Sequence, residues 1–198
     1  MYRRSSDIFL DALDSDVFSI IKHALAEADE GNFENALDLL DSLVVTENPA
    51  ALFYASSLSA ASRESIEDFE ERSIKQLKKS ADSGYAPAIH ELGVHYDNGQ
   101  LVQRDTEKAA QLFRQAAEKG HPHAQWIHGL DLLHGSNGIE QDEQLGIDFV
   151  KKSALSKFEG ALESLCDFYE TGKYGFPVDT GKAQSFKDQI NDQDVLGY

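Results

Sequence analysis

The stretch LGVHYDNG, from Leu92 to Gly99, is typical of the end of a helix, yet it contains Gly93. Inside a helix, glycine costs up to about 1 kcal/mol relative to alanine. The same eight-residue shape returns as HGLDLLHG from His128 and as LCDFYETG from Leu165. The role of the glycine is therefore a property of a repeated unit.

The repeat extends beyond these eight residues in both directions. Ala88, Ala124 and Ala161 begin matching segments that lie 36 and 37 residues apart. In each segment a large residue comes four positions after the alanine, a small residue five and another large residue eight. Glycines and aspartates then follow in the same order, at Gly99, Gly135 and Gly172, and at Asp105, Asp142 and Asp179.

This spacing predicts a helical hairpin in each unit. Offsets of 0, 4, 5 and 8 from the alanine share one side of a helix, and the small residues lie where a neighbouring helix comes closest. Close packing then compensates for the cost of Gly93, and Cys166, in the same phase, is predicted to be a small buried side chain. The later glycines suit the left-handed residue that ends a helix, and the aspartates suit the N-cap of the next.

These residues resemble the Sel-1-like repeat, a helical-hairpin relative of the tetratricopeptide repeat. Lys108-Ala109 and Lys182-Ala183 fit the Lys-Ala of the pattern, whereas Leu145-Gly146 does not. His128 replaces the leucine of the pattern and Cys166 the glycine, so the second and third units are degenerate. The resemblance covers about residues 50–190 and implies a stack of helical hairpins.

The N-terminal part is expected to stack onto this array as a cap. EGNFENALDLLDSLVVTENP, Glu30 to Pro49, resembles the second half of a tetratricopeptide hairpin, and DVFSIIKHALAEA from Asp16 supplies the helix before it. We predict an all-α protein, a right-handed α-solenoid of about five helical hairpins in one domain of residues 1–198. Its parts are a cap (1–49), Sel-1-like repeats (50–190) and a tail (191–198) that is either disordered or covers the last hydrophobic face.

Charge sets the expected class of partner. The chain has 35 acids against 18 lysines and arginines, a net charge of −17. Residues 1–70 contain 15 acids and 4 bases and so account for −11 of it. Such a charge opposes binding to nucleic acid or to an anionic membrane and favours a basic protein partner. A merely solvated acidic surface is the alternative.

Cysteine usage and hydropathy predict a cytoplasmic protein. Cys166 is the only cysteine, which excludes an internal disulfide and fits a reducing compartment. Asp7, Asp11, Asp14 and Asp16 interrupt any apolar stretch that could serve as a signal peptide. No run reaches the roughly 18 to 20 apolar residues of a membrane-spanning helix.

Histidine is the strongest signal for chemistry, with His121, His123, His128 and His134 inside HPHAQWIHGLDLLH. Two metal ligands on one helix face need separations of three or four residues, but these helical histidines are five or six apart. The chain also has no nucleophile elbow, phosphate-binding loop or dinucleotide fingerprint. We therefore predict no enzyme, no metal and no cofactor, with a histidine-dependent metal-binding regulator or enzyme as the alternative.

The resemblance implies a scaffold or adaptor whose first helices line a concave groove. The groove face would take the offsets opposite the core, where Trp126 is the sole tryptophan. An aromatic anchor among acids is typical of an interface hot spot, whereas packing between neighbouring repeats is the alternative interpretation of Trp126 and is slightly favoured. The predicted partner-binding residues are His90, Glu91, Val94, His95, Trp126, Ile127, Leu130, Asp131, Glu163, Asp167 and Phe168.

The resulting functional hypothesis is a non-enzymatic protein-protein interaction module. Some bacterial members of this family are immunity proteins that neutralise a toxin, and a short acidic chain is compatible with that role. A signalling or assembly adaptor is the alternative. The oligomeric state is left open by the sequence.

Overall fold

The computed structural model describes residues 9–60 and 62–196 of the 198, with side chains described as far as residue 192. Across this part of the chain the regular structure is helical and contains no β-strand. The helices fall into two compact units, an N-terminal unit that ends at Asp105 and a C-terminal unit that begins at Thr106. The predicted all-α class is confirmed.

The described residues of the N-terminal unit form five α-helices: α1 (Ser15–Asp29), α2 (Phe33–Val45), α3 (Pro49–Ser56), α4 (Ile66–Asp82) and α5 (Ala86–Asn98). Three of the four connections have three residues and the α3–α4 connection has nine, and consecutive helices pack as antiparallel neighbours. Ile21 of α1, Leu40 of α2 and Tyr54 of α3 meet in one apolar core. The two helices predicted on either side of residue 30 are therefore confirmed as α1 and α2.

The C-terminal unit contains α6 (Thr106–Glu118), α7 (Pro122–His134), α8 (Glu143–Leu155), α9 (Glu159–Thr171) and α10 (Thr180–Leu196). A single 3₁₀ turn at Lys173–Gly175 joins the last two. Leu133, Val150 and Leu162 are buried together in its core. Helix α10 continues to Leu196, past the boundary drawn at residue 190, and residues 1–8 of the predicted cap and 197–198 of the predicted tail lie outside the described residues.

The punctuation of the repeats is as the spacing predicts. Gly99, Gly135 and Gly172 each follow a helix with a positive φ, at 72°, 65° and 74°. The carboxylate of Asp142 accepts a hydrogen bond from the Leu145 amide at 3.0 Å, and that of Asp179 accepts one from the Lys182 amide at 3.0 Å. These aspartates therefore cap α8 and α10 by satisfying amides of the first helical turn.

The small residues are buried where two helices approach closely. A Cβ added to Gly129 of α7 would lie 2.9 Å from Val150 Cγ2 and 3.0 Å from the Gly146 carbonyl oxygen. A Cβ on Gly146 of α8 would in turn lie 2.8 Å from the carbonyl oxygen of Gly129. The departure from the family pattern at Gly146 therefore supplies a second small residue at the α7–α8 crossing. Gly93 and Cys166, in the same phase as Gly129, are also buried.

A buried serine ties the second helix of two hairpins to the start of the first. The Ser153 hydroxyl in α8 donates to the Pro122 carbonyl at 2.7 Å. In the N-terminal unit the Ser80 hydroxyl in α4 donates to the Pro49 carbonyl at 2.6 Å. Both pairs are 31 residues apart in sequence, so the contact belongs to the repeat itself.

The turns that lead from one hairpin to the next use a left-handed residue. In two of them it is a glycine, Gly84 with φ 84° and Gly120 with φ 88°. In the others it is Glu47 with φ 62° and Lys157 with φ 58°. Non-glycine residues are strained in this conformation, because Cβ comes close to the following carbonyl oxygen.

Candidate protein-binding surfaces

Trp126 is half-buried between the first helices of two successive hairpins, α7 and α9. Its indole N–H donates to the Ser164 hydroxyl at 3.0 Å, and that hydroxyl donates to the Gly160 carbonyl at 2.7 Å. The indole lies against Gly160, where a Cβ would come within 3.1 Å of Trp126 Cε2. Its ring also packs on Phe158, with the ring centroids 5.6 Å apart. Packing between repeats therefore accounts for a large part of the tryptophan surface.

The other predicted residues of the C-terminal unit differ in exposure. Glu163 is exposed, and Ile127, Leu130 and Asp167 are half-buried. Phe168 is buried beside Tyr174 and Phe176. Asp131 is buried as well, and its Oδ1 accepts from the Ser136 hydroxyl at 2.6 Å and from the Asn137 amide at 2.8 Å. Phe168 and Asp131 are therefore packed inside the unit, whereas Glu163, Ile127, Leu130 and Asp167 keep surface that is open to solvent.

The remaining predicted residues lie on α5 and belong to the N-terminal unit. His90 is buried, with 8% of its surface exposed, while Glu91, Val94 and His95 are half-buried. His90, two residues after Ala88, is thus a packing residue of α5. Asp131, seven residues after Ala124, is likewise a packing residue of α7. The repeat spacing therefore identifies which face of the helix a residue lies on, but it does not distinguish the exposed residues of that face from the buried ones.

The histidines occupy structural positions. His121 is the N-cap of α7, and its Nδ1 accepts from the Ala124 amide at 3.3 Å. Burial, with a smaller effect from His123, lowers the pKa of His121 to about 3. His128 packs edge-on against Phe149, and burial lowers its pKa too. Among residues 9–60 and 62–192, no three His, Cys, Asp or Glu side chains come together as a metal site would need.

The structure contains a groove that the sequence patterns do not indicate. It lies between α2 and α4 in the N-terminal unit and has a volume of about 250 Å³. Its buried floor is formed by Ala55 and Ala60, and its exposed rim by Asp38, Asp41 and Arg63. The lining residues are Leu37, Asp38, Asp41, Val44, Ala55, Ala60, Arg63, Glu64, Arg72 and Gln76. We call it the α2–α4 groove. It depends on the α3–α4 connection, where no repeat pattern constrains the chain.

Both arginines of the α2–α4 groove are engaged within the unit. Arg72 donates to both carboxylate oxygens of Glu64, at 2.9 and 2.7 Å, and to the carbonyl oxygens of Ala55 and Leu58, which fixes the α3–α4 connection. Arg63 forms a two-pronged pair with Asp38 at 2.7 and 3.0 Å. These hydrogen bonds lower the pKa of Glu64 and of Asp38. Both carboxylates are therefore held in the ionised form.

No helix in the described part of the chain is long and apolar enough to span a membrane.

The chain also matches known proteins. A family model of the Sel1 repeat matches residues 86–121, 122–157 and 161–186. The chitin synthase regulator SKT5 of Malassezia restricta is 33% identical over 107 residues, which are 52% of this chain and 7% of that protein.

Solved structures match the fold over most of the chain. A Sel1 repeat protein from Oxalobacter formigenes is 21% identical and has a TM-score of 0.71 over 96% of this chain and 79% of that one. A protective antigen of uropathogenic Escherichia coli with an SLR fold is 25% identical, with a TM-score of 0.66 over 79% of this chain and 33% of the antigen. Because the repeat model matches three successive hairpins and solved Sel1 structures share the fold, the chain belongs to the Sel1 repeat family, whose members generally mediate protein-protein interaction.

Proposed function

We propose that this chain is a non-enzymatic interaction module that binds a basic protein. The observation that carries the proposal is the surplus of carboxylates in a Sel1 repeat protein, 35 acids against 18 lysines and arginines. Several cations are already paired with carboxylates inside their own unit: Arg63, Arg72, Lys79, Arg114, Lys173 and Lys187. The charge left for a partner is therefore negative, and it steers a cationic protein toward the chain.

The proposed binding surface in the C-terminal unit is the solvent-facing side of α7 and α9. Glu163 provides an exposed carboxylate there, and Ile127 and Leu130 provide half-buried apolar area beside it. The bond from Trp126 to Ser164 holds the two helices together beneath this surface. An apolar centre with charged residues at its edge is the usual arrangement of a protein interface. Glu91, Val94 and His95 of α5 are proposed as contacts from the N-terminal unit.

Within this class, an immunity protein that neutralises a single cationic toxin is one candidate and an adaptor is the other. The adaptor is favoured by the match to a protein named as a chitin synthase regulator. The immunity role is favoured by the concentrated negative charge, because one-to-one binding of a basic toxin gains from electrostatic steering. In either role the chain needs no cofactor, and its single cysteine suits the reducing cytoplasm.

A capture experiment with charge variants tests the proposal. We would immobilise the wild type, Glu163→Lys and Glu140→Lys and expose each to lysate of the source organism. The lysate is applied at about 0.1 M and at about 0.5 M NaCl, because the higher concentration screens charges far more strongly. Mass spectrometry identifies the retained proteins. Glu140 lies exposed in the α7–α8 loop and changes the net charge equally. We expect a basic protein that Glu163→Lys loses and Glu140→Lys retains.

The purified partner then decides between the two roles. Tight one-to-one binding in titration calorimetry, with loss of the partner's toxicity, identifies an immunity protein, whereas weaker binding to several partners identifies an adaptor. Retention of acidic proteins, or of nucleic acid, by the wild type would contradict the proposed class of partner.

A further inference from the structure

We propose that the α2–α4 groove binds an extended basic segment of a partner protein, with one lysine or arginine side chain seated in it. The groove uses none of the residues assigned to the α7–α9 surface. The proposal rests on the proposed function for the basic character of the partner and adds a separate site with its own chemistry.

The floor of the groove suits the aliphatic stem of such a side chain. Leu37 and Val44 of α2 are half-buried and provide apolar surface, and the buried residues Ala55 and Ala60 close the floor beneath it. Lysine and arginine cover apolar surface with their methylene groups while the charged head stays at the edge. The volume of about 250 Å³ is below the roughly 300 to 1,000 Å³ of small-molecule sites, which favours a side chain over a cofactor.

Carboxylates are placed where the charged head would emerge. Glu34, Asp38 and Asp41 are four and three residues apart on α2, so they form one stripe about 10 Å long beside the groove. Among the described residues, Asp41 makes no ion pair or hydrogen bond. Asp38 is engaged, because the Arg63 guanidinium is docked on it. The contact between Arg63 and Asp38 shows that an arginine fits this stripe.

The charge around the groove favours a cationic occupant over an anionic one. Residues 1–70, which include α1, α2 and α3, have a net charge of −11. The two cations that line the groove are both engaged, Arg63 with Asp38 and Arg72 with Glu64, so neither is free to receive an anion. The partner segment is therefore basic, with apolar residues between its charges.

A labelled peptide tests the groove directly. We would titrate the full chain with a fluorescent octapeptide of alternating arginine and leucine at about 0.1 M NaCl, where charges beyond about 10 Å are screened, and follow the anisotropy. An octapeptide of alternating glutamate and leucine is the control for apolar binding. We expect the basic peptide to bind and Asp41→Lys to weaken it by about tenfold, as loss of a charge-assisted hydrogen bond predicts.

Two matched variants separate the groove from general electrostatics. Glu70→Lys changes the charge of α4 away from the groove lining and should weaken binding less than about threefold. Arg63→Ala frees Asp38 and should strengthen binding severalfold. Lys79→Ala removes a cation paired with Glu47 outside the groove and should leave the affinity nearly unchanged. Thermal unfolding of each variant confirms that it is folded.

The outcomes distinguish this site from the proposed function. The groove site would be overturned if Asp41→Lys and Glu70→Lys lost the same affinity for the basic peptide, or if Arg63→Ala and Lys79→Ala gained the same affinity. The proposed function would still stand in either case if a basic partner is captured through Glu163. Binding of the acidic peptide would also overturn it. So would a dimer in light scattering that Asp41→Lys dissociates, because a second copy would then be the occupant.

Discussion

At the scale of single residues, small side chains decide how closely α7 and α8 approach. Gly129 and Gly146 face each other, and each lies near the carbonyl oxygen of the other. Each glycine lowers helix stability by about 1 kcal/mol relative to alanine, and the direct packing of the two backbones compensates for this loss. Alanine, the best helix former, would therefore be the worse residue here.

Gly129→Ala should destabilise the chain by about 1 to 3 kcal/mol, because its methyl group would overlap Val150 and the Gly146 backbone. Gly181→Ala is the matched control, since Gly181 lies in the first turn of α10 and its Cβ would be 3.4 Å from Asp179 Oδ1, an ordinary contact. That variant should gain up to about 1 kcal/mol from helix propensity. Urea unfolding measures both, and a stabilised Gly129→Ala would contradict the close crossing.

Burial of His121 makes stability depend on pH. The pKa of this histidine is about 3 in the folded chain, against 6.5 for an exposed histidine, so only the unfolded chain binds the proton between these values. The contribution of the buried neutral histidine to the free energy of unfolding is therefore fully present above pH 6.5 and is lost as the pH falls toward 3. The slope for one such group is about 1.4 kcal/mol per pH unit.

His121→Asn keeps an N-cap acceptor but removes the titrating ring. We therefore expect the free energy of unfolding to fall less steeply between about pH 6.5 and about pH 5 in the variant than in the wild type. Denaturant unfolding at several pH values within this interval measures the two slopes. Equal slopes would show that another group causes the acid sensitivity.

At the scale of elements, the sequence predicted the helices and their ends well. Ala88, Gly99 and the equivalent residues recur in register, so propensity, capping and burial indicate the same hairpin. The sequence did not reveal that Leu101, Asn137 and Tyr174, each two residues after a terminal glycine, also have positive φ. No shared residue type marks those positions.

The candidate site was predicted less completely, for a related reason. Trp126 was predicted on the groove face, and the structure joins it to Ser164 of the neighbouring helix α9. Burial of Asp131 depends on Ser136 and Asn137 in the next loop, and the α2–α4 groove depends on the connection held by Arg72. Such contacts between an element and an irregular loop have no period that a sequence pattern could show.

The turns between hairpins provide a test at this scale. Lys157→Gly should stabilise the chain by up to about 1 kcal/mol, because glycine adopts the positive φ of this turn without strain. Gly120→Ala is the reciprocal change, and it should destabilise by about 1 kcal/mol through the backbone alone, since a Cβ there would meet nothing within 4 Å. Chemical unfolding of both variants measures the difference, and a gain from Gly120→Ala would contradict the turn geometry.

At the scale of the whole molecule, the net charge of −17 opposes compaction, because many carboxylates repel one another when the chain folds. Salt screens this repulsion over distances beyond about 10 Å at 0.1 M. The charge on which the proposed binding of a basic partner rests therefore lowers the stability of the unbound protein.

Raising NaCl from about 0.01 M to about 0.3 M should increase the melting temperature of the free chain, because the Debye length shortens severalfold. A variant with Glu70, Glu71, Glu140 and Glu143 changed to glutamine should show a smaller increase, since these exposed residues carry part of the charge. Scanning calorimetry measures both. A melting temperature that falls with salt would instead show that attractive ion pairs dominate.

The serine-to-proline bond has a consequence for how such a chain can grow. In residues 122–157 the opening proline, the glycine loop, the aspartate cap and the serine that returns to the proline all lie within one matched repeat. A tandem duplication of this segment would copy each of these contacts together with the residues that make them. Duplication of whole repeats in the gene thus preserves the hydrogen bonds within every hairpin. A duplication that begins or ends inside the repeat would instead separate Ser153 from Pro122.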